Sequence, residues 1–69
     1  MTLEDYRIQC GWSKTELARR ANIDFNTLNK AYQGKPVAIS TANKIASAFS
    51  QQLGRTIYVN EIEGLNVKV

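Results

Sequence analysis

Residues 13–34, SKTELARRANIDFNTLNKAYQG, contain the signals for two short helices joined by a tight turn. Ser13 and Glu16 have the spacing of a capping box, in which the hydroxyl accepts from a helix amide and the carboxylate reaches back to the Ser13 amide. The first helix is therefore predicted to begin at Lys14. Asn22 is suited to end it, because asparagine tolerates the left-handed conformation that a helix terminus requires.

The second helix of this unit is predicted over residues 25–33, with Asp24 as its N-cap and Gly34 as its stop. A turn of about three residues forces the two helices to cross at a large angle, as in a helix-turn-helix unit. The inward positions are Ile23, Leu28, Ala31 and Tyr32. The outward positions carry no carboxylate and are Phe25, Asn26, Thr27, Asn29, Lys30 and Gln33. Because amides and cations donate to base edges and phosphates, this outer face suits nucleic acid.

Positive charge is concentrated in the centre of the chain. Nine Lys and Arg against six Asp and Glu give a net charge of +3. Residues 14–44 hold six of these cations but only two of the carboxylates. Such a patch is what a phosphate-facing surface needs, and the alternative interpretation is an ordinary solvated face.

Length and composition limit the remaining possibilities. A chain of 69 residues has room for one domain, predicted over residues 1–69, near the lower size at which a core suffices without metals or disulfides. One cysteine and no histidine favour neither a disulfide nor a metal site. No stretch approaches the roughly 20 apolar residues of a membrane span, and no signal peptide is visible. An enzyme is the least favoured class, and no cofactor is expected.

The segment before residue 13 is predicted to pack against the unit. Residues 1–10 read as a helix with Thr2 as N-cap, and Gly11 ends it. Cys10 and Trp12 are interpreted as core residues, because no base is present to activate the thiol and Trp12 precedes a helix cap.

The segment after Gly34 is predicted to be extended, since Pro36 disfavours the helical region at Lys35. Ser40 is the predicted N-cap of a further helix, and Gly54 is its predicted end.

Alternating apolar residues follow this helix. Residues 55–59 predict a short strand, residues 60–64 a final helical turn, and residues 65–69 a loose extended tail. The apolar positions of this region are Ile57, Val59, Leu65, Val67 and Val69. Two interpretations remain open: these residues cover the protomer's own core, or they pair with the same region of a second molecule.

Several of these signals occur together over about residues 3–53. They are the capping box, the turn spacing and the residues Leu17, Ala18, Asn22, Ile23, Asp24, Thr27, Leu28, Gly34, Pro36, Ile45 and Ala46. The combination resembles the lambda-repressor/Cro-type helix-turn-helix domain, of the xenobiotic-response-element family. The resemblance implies an all-α fold, a compact bundle of four to five short helices, here with a short extended C-terminal segment. It also implies a sequence-specific double-stranded DNA-binding regulator, most simply a repressor, located in the cytoplasm with the nucleoid.

The resemblance also implies residue roles. The helix over residues 25–33 enters the major groove, and its base-reading positions are Phe25, Asn26, Asn29 and Lys30. Positions implied to meet the DNA backbone are Lys14, Thr27 and Lys35. Asn43 and Lys44 join them, because they lie near the start of the helix after Ser40, where exposed helix amides also bind phosphate. A homodimer is expected, since one unit buries too little surface for tight specific binding, and the C-terminal region is its candidate contact if those apolar residues pair with a second molecule.

Three positions depart from the family pattern. Asn22 stands where glycine is usual, Phe25 where a polar residue is usual, and Tyr32 where a glutamate often pairs with an arginine of the first helix. Arg7 matches that arginine. Its expected partners are a backbone carbonyl or a C-terminal carboxylate, Glu61 or Glu63. The exposed Phe25 also fits an alternative function, a non-catalytic protein-interaction module such as an antitoxin or adaptor.

Overall fold

The computed structural model describes residues 1–68 and contains four α-helices followed by one 3₁₀ turn. The elements are α1 (Leu3–Cys10), α2 (Lys14–Ala21), α3 (Phe25–Tyr32), α4 (Ile39–Leu53) and the 3₁₀ turn Val59–Glu61. The all-α fold of four to five short helices is confirmed.

The caps of α1 and α2 follow the local sequence. Thr2 forms a capping box with Asp5, with hydrogen bonds of 3.0 and 3.1 Å, and Gly11 ends α1 at a φ of 74°. Ser13 Oγ accepts from the Glu16 amide at 3.1 Å, so α2 begins as predicted.

The reciprocal half of the predicted capping box at α2 does not form. The Glu16 carboxylate instead accepts from Arg19 at 2.7 Å and from Arg20 at 2.6 Å. Two charged donors on the same helix compete better for a carboxylate than one backbone amide does. Asn22 ends α2 in the left-handed region, with a φ of 57°, as predicted.

Asp24 is the N-cap residue of α3, as predicted, although its side chain makes no hydrogen bond to the helix amides. The predicted N-cap at Ser40 is wrong. α4 begins at Ile39 rather than after Ser40, because the Ala38 carbonyl already accepts the first helical bond from the Ala42 amide at 3.0 Å. α3 and α4 therefore rely on packing rather than on side-chain caps at their N-termini.

The core is centred on Phe49 of α4, which is fully buried. The rings of Tyr6 and Trp12 stack against it, with centroid separations of 5.3 and 6.2 Å. Leu17 of α2 and Leu28 of α3 are also fully buried in the same cluster. The core positions predicted before α2 are confirmed for Cys10 and Trp12.

The predicted strand over residues 55–59 is wrong. Residues 56–58 have no regular secondary structure, and the Ile57 amide donates to Ser50 Oγ of α4 at 2.8 Å rather than to a neighbouring strand. Ile57 is buried in the core. Its apolar side chain is therefore explained by packing against α4 and not by membership of a strand. A helical turn follows, but it is a 3₁₀ turn at Val59–Glu61 rather than over the predicted residues 60–64.

The tail is not loose as predicted. The Val37 amide donates to the Asn66 carbonyl at 2.9 Å, and the Lys68 amide donates to the Val37 carbonyl at 2.8 Å. Apolar tail residues that pack partly buried against the core include Leu65 and Val67. The described part of the tail therefore covers the protomer's own core, and Val69 lies outside the described residues.

Candidate nucleic-acid interface

α3 turns a polar face away from the core. Successive helix residues are rotated by about 100°, so the buried Leu28 and Ala31 leave Asn26 and Lys30 near the middle of the opposite side, and both are exposed. Thr27 and Asn29 are half-buried at its edges. We call this surface the α3 face; it consists of Phe25, Asn26, Thr27, Asn29, Lys30 and Gln33.

Phe25 is the one apolar residue of the α3 face. It is the first residue of α3 and is 44% exposed. The thymine methyl group is the apolar feature that base edges present in the major groove. An exposed aromatic ring at this position can therefore contact a thymine methyl group in DNA or an apolar surface of a protein.

Ion pairing divides the cations into two groups. Arg7, Arg19 and Arg20 are paired with glutamates of the same chain. Hydrogen bonds from Arg19 and then Arg20 lower the pKa of Glu16 below its usual range. Among residues 1–68, no Asp or Glu side chain forms an ion pair with the four exposed lysines of the central stretch, Lys14, Lys30, Lys35 and Lys44. Within residues 14–44, the charge available to an anionic partner therefore resides on these lysines.

Lys35 is attached to the end of α3. Its amide donates to the Lys30 carbonyl at 3.0 Å, and Asn66 Nδ2 donates to the neighbouring Gly34 carbonyl at 3.3 Å. The C-terminal tail therefore holds the loop that carries Lys35, which fixes the loop backbone beside α3.

Asn43 and Lys44 lie in the second turn of α4, and both are exposed. The Ala42 amide is already bonded within the helix, so the free amides at the head of α4 belong to residues 39–41. Asn43 and Lys44 can therefore offer a phosphate only their side chains, which border a shallow depression beside Arg20. Backbone contact by these two side chains stays a prediction.

A side-chain network joins α1 to α3. Tyr32 Oη donates to Glu4 Oε1 at 3.0 Å. Arg7 donates to the two Glu4 oxygens at 2.8 and 2.5 Å and to the Trp12 carbonyl at 2.6 Å. Arg7 thus has the backbone partner that the sequence predicts.

The predicted pairing of Arg7 with Glu61 or Glu63 is wrong. Glu4 lies one turn from Arg7 on the same helix and occupies its guanidinium. In the family pattern a glutamate at the position of Tyr32 pairs with this arginine. Here the carboxylate comes instead from Glu4 of α1.

The two ionisable partners in this network are held in complementary protonation states. Hydrogen bonds from Arg7, assisted by Tyr32, lower the pKa of Glu4 to about 2. Burial, followed by the hydrogen bond to Glu4, raises the pKa of Tyr32 to about 12. Between these values the carboxylate accepts and the phenol donates.

Lys14 contacts the Tyr32 ring of the same network. Its ammonium nitrogen lies 4.4 Å from the centroid of the Tyr32 ring, within the range of a cation–π interaction. Sequence reasoning missed this contact, because it depends on a tertiary hydrogen bond between residues 28 positions apart.

Two consecutive helices, α2 and α3, are joined by a short turn with Asn22 in the left-handed conformation, and α3 exposes a polar face; together these features define a helix-turn-helix protein. The model of the Cro/C1-type HTH DNA-binding domain matches residues 2–54, and the chain belongs to this family. Its general role is that of a DNA-binding regulator.

The family match contains all four α-helices and ends before the 3₁₀ turn. No curated protein sequence and no solved structure matches the chain. None of the helices within residues 1–68 has the length and apolar character needed to cross a membrane. The same residues contain no cluster of three or more potential metal ligands from His, Cys, Asp or Glu.

Proposed function

We propose that the chain is a sequence-specific, non-catalytic transcriptional regulator of double-stranded DNA, most simply a cytoplasmic, nucleoid-associated repressor. The observation that carries the proposal is the α3 face, whose exposed amides and lysine are free of carboxylates and lie in a chain of the Cro/C1-type family. In this mode α3 enters the major groove, and the nearby lysines contact the phosphates on either side.

Residue chemistry assigns the base contacts. The Asn26 amide suits the adenine edge, and the Lys30 ammonium suits the acceptors of guanine. Phe25 and Asn29 complete the set of base-reading side chains. The phosphate contacts are assigned to Lys14, Thr27, Lys35, Asn43 and Lys44.

A homodimer is part of the proposal. One helix-turn-helix unit buries too little surface for tight specific binding, so two units on a two-fold site are expected. Tyr58 is 65% exposed and borders a groove of about 640 Å³ whose apolar lining includes Val59, Ile62 and Leu65. This groove is the proposed contact with a second copy.

Salt titration tests the proposal. A labelled mixed-sequence duplex is titrated with the protein at several potassium chloride concentrations, and binding is followed by fluorescence anisotropy. Three lysine–phosphate contacts predict that log Kd rises with log salt with a slope of about 3 per protomer. Absence of binding even at low salt contradicts the proposal.

The second candidate is a protein-interaction module such as an antitoxin or adaptor. The exposed Phe25 is the observation that favours it, because an aromatic ring at the head of α3 suits an apolar protein pocket. The same titration separates the two functions, since an adaptor has no strong, salt-dependent affinity for duplex DNA.

A further inference from the structure

Two residues from different helices meet at the edge of the helix-turn-helix unit. Lys14 is the first residue of α2, and Tyr32 is the last residue of α3. The Lys14 ammonium lies 4.4 Å from the centroid of the Tyr32 ring, and Lys14 is otherwise exposed.

The Tyr32 ring is fixed from its far end. Its hydroxyl donates to Glu4 at 3.0 Å, and Glu4 is held in turn by two hydrogen bonds from Arg7. Arg7 also donates to the carbonyl of Trp12, two residues before Lys14. The network therefore attaches both the ring and the backbone near Lys14 to α1.

We propose that Tyr32 is a positioning residue that holds the Lys14 ammonium in place for a DNA phosphate. A lysine side chain has many rotamers, and a contact with a fixed ring restricts them before DNA arrives, so less conformational entropy is lost on binding. Arg7 neutralises Glu4, which prevents the carboxylate from repelling the phosphate. The inference rests on the proposed DNA-binding function.

A double-mutant cycle tests this role. Lys14→Ala, Tyr32→Leu and the combined variant are titrated against the mixed-sequence duplex over a range of salt concentrations. Lys14→Ala is expected to lower the salt slope by about 1. Tyr32→Leu is expected to weaken binding about two- to five-fold in the presence of Lys14, and to have no further effect in the Lys14→Ala background.

Tyr32→Phe is the matched control, because it keeps the ring but removes the hydroxyl that donates to Glu4. Its affinity is expected to lie between those of the wild type and Tyr32→Leu. If Tyr32→Leu lowers affinity equally in the wild-type and Lys14→Ala backgrounds, the inference is overturned, since the loss is then a general structural effect. Wild-type protein that binds no duplex overturns the proposed function instead.

A spectroscopic measurement covers the case in which Tyr32→Leu does not fold. The Tyr32 ring current is expected to shift the ε-methylene protons of Lys14 upfield of those of the exposed Lys44 in the NMR spectrum of the free protein. The shift is expected to persist in Tyr32→Phe. Coincident Lys14 and Lys44 resonances in the wild type contradict a preformed contact.

Discussion

Lys30 and Arg55 each carry one positive charge, but only Lys30 lies on the α3 face. Arg55 lies 6.0 Å from the Tyr6 ring, beyond the end of α4. We predict that Lys30→Ala lowers affinity for a preferred duplex by roughly 1 to 3 kcal/mol and relaxes the base preference at one position. Arg55→Ala changes net charge equally and is expected to leave that preference unchanged. Competition binding with single-base variants measures both effects, and a uniform loss over all sequences for Lys30→Ala contradicts base reading by this lysine.

Phe25 can distinguish bases only through apolar contact. We predict that replacing the contacted thymine by uracil, which lacks the methyl group, weakens binding of the wild type by about 1 kcal/mol. The same replacement is expected to have no effect on Phe25→Ala. A loss from uracil that is equal in the two proteins contradicts a contact between Phe25 and the methyl group and favours a protein partner for this ring.

The burial and exposure of side chains were predictable where they depend on helical periodicity. The spacing of Leu28 and Ala31 identifies the buried side of α3, and hence places Asn26 and Lys30 on the outer side. The contact between Tyr32 and Glu4 was not predictable in this way, because it depends on how α1 packs against α3. Hydrogen-bond partners that are distant in sequence can be identified only from the folded structure, whereas the exposure of a side chain follows from helical periodicity.

At the scale of elements, the turn between α2 and α3 depends on the left-handed conformation of Asn22. We predict that Asn22→Val lowers the free energy of unfolding by about 1 to 2 kcal/mol, because a β-branched residue is strained at this φ. Asn22→Gly is the control and is expected to change it by less than about 1 kcal/mol, since relief of strain offsets the added backbone entropy of the unfolded chain. Urea denaturation measures both. Equal stability of the two variants contradicts the importance of this backbone conformation.

The contact between α1 and α3 is expected to depend on pH through Glu4. Its pKa falls from 4.5 to about 2 on folding, so the ionised carboxylate stabilises the fold above pH 4.5. This contribution is lost as the pH decreases from 4.5 towards 2.

Glu4→Gln tests the pH dependence, because glutamine keeps the size of the side chain but cannot ionise. We predict that the wild type loses more stability than Glu4→Gln between pH 5 and pH 3, as measured by urea denaturation at each pH. Parallel pH profiles for the two proteins contradict the predicted linkage.

Helix boundaries were predictable where one side chain or one special φ determines them. Thr2, Ser13, Gly11 and Gly54 mark helix ends in agreement with the sequence. The prediction fails at Ser40, because the backbone begins α4 at Ile39 without a side-chain cap. It also fails over residues 55–59, where packing against α4 and a bond to a serine hydroxyl replace the partner strand that alternation suggests.

At the scale of the whole molecule, the C-terminal segment has two faces. Ile57 and Ile62 are buried in the protomer's core, whereas Tyr58 is 65% exposed beside the apolar groove. We predict a dimer in equilibrium sedimentation at tens of micromolar, and a higher dimer dissociation constant for Tyr58→Ala. Ile8→Ala removes a comparably exposed apolar side chain from α1 and serves as the control. Monomer alone at these concentrations contradicts the proposed contact.

Recognition of base sequence by the α3 face is the central claim, and selection of bound duplexes from a random pool tests it most directly. Purified wild-type protein at moderate salt is expected to enrich an inverted repeat whose half-sites lie about one helical turn apart. An Asn26→Ala, Lys30→Ala double variant is expected to lose this enrichment while it retains salt-dependent binding. A pool that shows no enrichment with the wild-type protein contradicts sequence-specific recognition by α3.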